Sequence, residues 1–293
     1  MNRRTPAERR LGWLLCAPAV AAMLLVTAYP ILYSVWLSLF RYDLRFPAGR
    51  QFVGLDNYLS VLASEVWWRA LANTLMITGL SVAFELALGL ALALLMHRAA
   101  VGRRTIRTAL LLPYALITVV AALAWKFAFD PATGFVNALL SLDMPWFSRG
   151  WSAFFVIVFT EIWKTTPFMA LLLLAGLTLI PEDLIRAARV DGASAWQRFR
   201  MITLPLMKPT ILVALLFRTL DAFRIFDTVY IQTRGAQDTE TVSIVAYNTL
   251  IIRLNLGLGS AVSVLIFCGV LMIAFLFVKG FGASFTAPEK GSK

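Results

Sequence analysis

Six apolar runs, each long enough to cross a bilayer, constrain this chain more than anything else in it. They lie near 11–40, 71–96, 107–129, 152–180, 209–230 and 257–280. A spanning helix needs roughly 20 predominantly apolar residues. In hydrocarbon every backbone polar group must be satisfied internally, so runs of this length predict helices rather than strands. The expected fold is therefore all-α, a polytopic membrane protein with six transmembrane helices and both termini on one side. Composition agrees: 60% of the 293 residues are hydrophobic, 15% are charged, and the mean hydropathy is +0.77. A soluble domain could not bury that much apolar surface.

The first run exceeds what one span needs, and Pro18 and Pro30 are expected to bend it or break its ends. It is also too long for a secretory leader, and no small-x-small cleavage site follows it, so it reads as an uncleaved first helix. Cys16 and Cys268 fall within apolar runs, where packing is expected and a disulfide is not.

Orientation follows from the cations. Arg3, Arg4, Arg9, Arg10, Arg98, Arg103, Arg104, Arg107, Arg186, Arg189, Arg198, Arg200, Lys208, Lys279, Lys290 and Lys293 fall on one side of the predicted spans. Only Arg41, Arg45, Arg50, Arg69, Arg149, Arg234 and Arg253 fall on the other. Sixteen against seven places both termini and the 181–208 loop in the cytoplasm. The net charge of +11 then reflects topology and anionic lipid, and calls for no nucleic acid.

Between the spans the sequence predicts little regular structure outside the membrane. A short surface helix is expected around Leu55–Leu62, with Trp67 and Trp68 at the interface where the second span begins. Residues 131–134 read as a turn, followed by an amphipathic segment over 135–142. A helical stretch is expected over 242–252 and a disordered tail over 284–293.

The 180–205 segment is a polar island of about seven turns between two apolar runs. Pro181 at a first helical position, followed by Glu182 and Asp183, starts a helix well. Asp191 and Gly192 end it, the glycine permitting a left-handed turn. Ser194 with Gln197 forms a capping box for a second helix. Trp196, Phe199 and Ile202 make that helix's apolar stripe, until Pro205 and Pro209 interrupt it. Two short helices at an angle, one with an Ala187–Ala188 face, form a knob that a groove in another protein could accept.

The spacing of Ala187-Ala188, Gly192, Ile202, Leu204 and Pro205 resembles the cytoplasmic EAA motif of permease subunits of binding-protein-dependent ABC importers. Asn73-Thr74-Leu75, Leu112-Pro113 and Phe226-Asp227-Thr228-Val229-Tyr230 look like the sugar branch, which includes permeases for maltose, glycerol phosphate and trehalose. Residues 161–177 and 217–227 look closest to the actinobacterial trehalose-importer permeases. The resemblance covers nearly the whole chain and implies a type I ABC importer permease fold, as one permease domain over 1–293. It implies a bacterial inner-membrane location, and a substrate such as a disaccharide. The implied partners are an ABC ATPase dimer, a second homologous permease and an extracytoplasmic sugar-binding protein. ATP and magnesium would bind in the ATPase, and this chain would carry no cofactor of its own. ATPase coupling would fall to Arg186, Ala187, Ala188, Asp191, Gly192, Trp196, Phe199, Ile202, Leu204 and Pro205. One departure is that the motif's glutamate is Arg186 here, so its polar contact with the ATPase should differ.

Ionisable residues inside spans cost roughly 2.5–3.5 kcal/mol each on insertion scales and usually face a cavity or a partner. This chain has Glu85, Lys126, Glu161, Lys164, Arg218, Asp221, Arg224 and Asp227 there. Lys126 lies near a span end and is expected to snorkel. Arg218, Asp221, Arg224 and Asp227 recur every three residues and should fan across half of one helix, with Arg218–Asp221 and Arg224–Asp227 as natural pairs. Two readings stay open: an ion-pair network locking helices, or a hydrated sugar pathway. In the second, Glu161, Lys164, Arg218, Asp221, Arg224 and Asp227 would bond hydroxyls, and Trp163, Phe168, Phe223 and Tyr230 would stack on sugar rings.

No Walker A glycine-rich motif, zinc motif or serine-nucleophile motif occurs, so the chain reads as a transport subunit and not an enzyme. The competing function is an ion-coupled secondary transporter using Glu85, Glu161 or Asp221 as coupling carboxylate, disfavoured because no inverted repeat is evident.

Overall fold

The computed structural model describes residues 6–98 and 103–282. Arg3, Arg4, Lys290 and Lys293 of the charge count, and the 284–293 tail, lie outside the described residues. Helices dominate. Among the described residues five are long and apolar enough to cross a membrane, or six if the pair Thr108–Ala115 and Thr118–Ala128, bent by 94°, counts as one span. The third predicted span is therefore not one straight rod. Pro113 sits one turn before the break, and Ile117 leaves the helix with an extended backbone.

The chain divides into two compact units, Met1–Glu65 with Ala246–Phe267 and Val66–Val245 with Cys268–Lys293. In the first, helix α1 (Pro6–Ser38) runs unbroken through Pro18 and Pro30, against expectation. Each proline removes one ladder hydrogen bond, yet the helix continues on both sides. Strands β1 (Phe40–Arg41) and β2 (Gln51–Phe52) then pair antiparallel, an addition to the all-α expectation. Helix α2 (Asp56–Leu62) is the predicted surface helix, and Asn57 anchors it by donating to the Ser38 and Phe40 carbonyls at 2.7 and 2.9 Å.

In the second unit, α3 (Glu65–Arg98), α4 (Arg103–Ala115), α5 (Thr118–Ala128), α6 (Phe135–Leu140) and α7 (Gly150–Thr178) follow in order. Asp130 makes the predicted turn, its Oδ1 accepting from the backbone N–H groups of Ala132 and Thr133. Next come α8 (Glu182–Val190), α9 (Ala195–Arg198), α10 (Leu204–Ala222) and α11 (Asp227–Gln232), while α12 (Val242–Tyr247) and α13 (Leu256–Gly282) each have residues in both units. Trp67 is buried in the protein rather than interfacial, while Trp68 is exposed. Cys16 and Cys268 are both exposed on the isolated chain, correcting the packing role expected of them.

Small residues set the spacing of the spans. A Cβ on Gly89 would meet the Met169 side chain at 2.8 Å, and one on Gly176 would meet Thr210 at 2.6 Å. These glycines let α3 approach α7, and α7 approach α10, without an intervening side chain. Around the contacts pack Ala93, Met96, Met169, Leu173, Met207 and Ala214, all buried.

Candidate functional site

Arg218 of α10 lies at the centre of a buried polar cluster. Its side chain is 1% exposed and that of Glu85 is 0% exposed. The guanidinium Nε and Nη2 donate to the two Glu85 oxygens at 2.5 and 2.9 Å, a bidentate pairing. Nη2 also donates to Glu161 Oε2 at 2.9 Å, and Nη1 to Asp221 Oδ2 at 2.7 Å. The Thr165 hydroxyl lies 2.6 Å from Glu85 Oε1, and the Thr228 hydroxyl donates to Glu161 Oε1. Gln232 Nε2 extends the polar layer by donating to Thr160 Oγ1 at 2.8 Å. Arg218 thus ties α3, α7 and its own helix α10, and Thr228 adds α11 through Glu161. An always-charged guanidinium inside an apolar bundle requires such partners.

The predicted fan across one continuous helix is not observed. Helix α10 ends at Ala222, and Phe223 and Ile225 turn inward and are buried. Asp227 opens the separate helix α11. The Arg218–Asp221 pair forms as expected. Arg224 instead donates Nε to the Leu220 carbonyl at 3.3 Å, and among the described residues no bond joins it to Asp227. Asp221, whose side chain is 69% exposed, lies with exposed Arg224 and Asp227 along the break between the helices. Three exposed charges thus flank the break, and one of them, Asp221, is also bonded to the buried Arg218.

The aromatic residues are also distributed. Trp163 packs edge-on to Trp125 at 5.4 Å between ring centroids. Phe168 stacks on Tyr114 at 5.1 Å, and Lys164 lies 5.5 Å from the centre of the Tyr114 ring rather than against Glu161. Tyr230 stacks on Phe226 at 5.2 Å. Lys126 donates its Nζ to the Ile231 carbonyl at 2.8 Å, near the C-terminal end of α11 where a cation is favoured. Thr160, Thr165, Thr228, Gln232 and Tyr114 were missing from the predicted set, and Glu85 stood among the in-span charges. Only Glu85 carried a signal, as a carboxylate within an apolar run.

The 181–208 loop folds as a knob. Pro181 is the residue just before α8, one position earlier than expected. Gly192 has φ +81°, with nothing within 4 Å of a would-be Cβ, so backbone conformation alone demands glycine there. The capping box forms, with Gln197 N donating to Ser194 Oγ at 3.2 Å and Ser194 N to Gln197 Oε1 at 2.7 Å. Trp196 and Phe199 lie 5.6 Å apart by ring centroids. Pro205 and Pro209 do not interrupt this arm. A π turn over Phe199–Thr203 leads directly into α10, so Ile202, Leu204 and Pro205 belong to one continuous descent into the fifth span. Arg186 donates to Glu182 at 2.6 Å within its own helix. That bond holds the exposed Glu182 carboxyl below the usual range.

Residues 85–281 match the family of binding-protein-dependent transport system inner membrane components. The chain belongs to that family. It is 53% identical, over 98% of its own length and 94% of the relative's, to the trehalose transport system permease protein SugA of Mycobacterium tuberculosis. It is 40% identical to the trehalose/maltose transport system permease protein MalF of Thermococcus litoralis, over 93% of this chain and 94% of the relative. Its fold matches a chain of a bacterial alginate ABC transporter, solved in complex with an alginate pentasaccharide-bound periplasmic protein, with a TM-score of 0.82. That match covers 97% of this chain and 99% of the other at 24% identity. Family membership makes this a membrane-embedded transport component rather than an enzyme, with the fold of ABC importer permeases. The ion-coupled alternative is not favoured.

Proposed function

We propose that the chain is a permease subunit of an ATP-driven importer of a disaccharide, trehalose first among candidates. The supporting observation is the 53% identity to a named trehalose permease, which extends over 98% of the chain. In this reading the chain acts as one permease domain in a bacterial inner membrane, with both termini and the α8–α9 knob in the cytoplasm. A second, homologous permease completes the pathway, and an extracytoplasmic sugar-binding protein delivers substrate. An ABC ATPase dimer binds ATP and magnesium and takes up the knob.

Roles divide by exposure around the α10–α11 break. Asp221, Arg224 and Asp227 are exposed and offer acceptors and donors to sugar hydroxyls. Arg218, with Glu85 and Glu161, holds the helices that carry them. Gly192, Ala187 and Trp196 shape the coupling surface.

The test is uptake by the complete complex in proteoliposomes, with trehalose, maltose and glycerol phosphate as separate substrates. ATP-dependent trehalose accumulation, insensitive to dissipated ion gradients, is expected. Transport of only glycerol phosphate would remove the disaccharide assignment. Transport driven by an ion gradient without ATP would remove the importer reading.

A further inference from the structure

Helix α8 has two unlike faces. Leu184, Ala187 and Val190 are exposed and mostly apolar, the side suited to a protein groove. Glu182, Ile185, Arg186 and Arg189 recur at i, i+3, i+4 and i+7 and line a cavity of about 610 Å³. Arg98, the last residue of α3, and Arg198 of α9 face the same cavity. Four arginines therefore meet a single carboxylate, Glu182, which is already engaged by Arg186. Arg198 gives one hydrogen bond to the Ala193 carbonyl and keeps its charge. The cavity carries an excess of three positive charges, and its far wall is apolar, formed by Leu177 and Ile180 at the end of α7.

We propose that this cavity binds the phosphodiester headgroup of an anionic phospholipid from the adjoining leaflet. Both α3 and α7 are spanning helices, so a cavity at their ends opens where hydrocarbon gives way to headgroups. Guanidinium forks match phosphate oxygens in geometry and charge. Basic pockets between spans at a cytoplasmic surface favour such headgroups. The volume is that of a small-molecule site, large enough for phosphate, glycerol and the first methylenes against Leu177 and Ile180. Arg186, at the position of the family motif's glutamate, thereby points toward lipid rather than toward the ATPase. The apolar face of α8 remains for the protein partner. The bound lipid braces the knob against the membrane.

The proposal rests on membrane residence and, for the choice of leaflet, on the cytoplasmic placement proposed above. A lipid count is blind to sidedness and to the sugar transported, so its failure and theirs are distinguishable. The complete importer complex is stripped of lipid, loaded with phosphatidylglycerol or phosphatidylcholine, and weighed by native mass spectrometry. Wild type should retain one more phosphatidylglycerol per copy of this chain than Arg98→Gln/Arg189→Gln, and no matching phosphatidylcholine. Ile185→Trp, which fills the cavity without altering its charge, should lose the same lipid. Equal phosphatidylglycerol counts in wild type and both variants would overturn the proposal. So would equal retention of phosphatidylcholine by wild type. Loss of the ATPase from the double variant with its lipid count intact would assign the basic face to the protein partner instead, and would also overturn it.

Discussion

Arg218 has five donors and no accessible neutral form, so inside an apolar bundle it must be answered by acceptors. Glu85, Glu161 and Asp221 answer it. Each ion was visible in the sequence as a charge within an apolar run, and the i,i+3 spacing also exposed the Arg218–Asp221 pair. The other two partners lie 133 and 57 residues away, separations at which helical periodicity is silent. Arg218→Met would leave two buried carboxylates without their cation. Breaking a buried pair from one side costs about 3–5 kcal/mol, so the variant should fail to accumulate or should unfold at a clearly lower temperature in detergent. Asp221→Asn, at a largely exposed carboxylate, should change that temperature little. Arg224 and Asp227 lie outside the lock and carry a different expectation. Arg224→Ala and Asp227→Ala should reduce sugar uptake while the complex still assembles at wild-type yield. Unchanged uptake kinetics in both would take these residues out of the pathway.

At the scale of elements, the knob was the most legible part of the chain because its signals are local. The acidic first turn of α8, the Gly192 turn and the Ser194–Gln197 box each act within four residues, and all three formed. Proline punctuation proved less dependable. Pro18 and Pro30 lie inside α1, and Pro205 sits just after a π turn that leads unbroken into α10. Packing or lipid penalises an abandoned helix more than a missing N–H, so local breakers lose there. The actual break, at 223–226, has no proline or glycine and is associated with the inward packing of Phe223 and Ile225, which is tertiary information. Gly192→Val tests whether the knob's shape matters. Holding a residue with a Cβ in the left-handed region costs roughly 1–2 kcal/mol, and a β-branched one more, so the turn should reopen. The complex should assemble, and sugar-stimulated ATP hydrolysis should fall severalfold. Wild-type stimulation in the variant would separate the turn from coupling.

For the molecule as a whole, orientation is an inference from cation bias, and it can be tested without transport. Five crossings and the bent pair leave both termini on the same side only if that pair, Thr108–Ala115 with Thr118–Ala128, traverses the bilayer. A pair bent by 94° could instead re-enter and leave on the side it came from. Five crossings would then place the termini on opposite sides and reverse the assignment of every loop beyond residue 128. The two cases separate at two exposed positions flanking the fourth span, Ala132 and Arg200. Both native cysteines are exposed, so Cys16→Ser/Cys268→Ser provides the background for labelling. With six crossings and the sixteen-to-seven cation bias obeyed, Ala132→Cys should react with an impermeant maleimide added to intact cells, and Arg200→Cys only after lysis. A re-entrant pair would give the opposite pattern, with the coupling knob outside the cell. That result would contradict the ATPase docking proposed for α8, because no cytoplasmic ATPase could reach it.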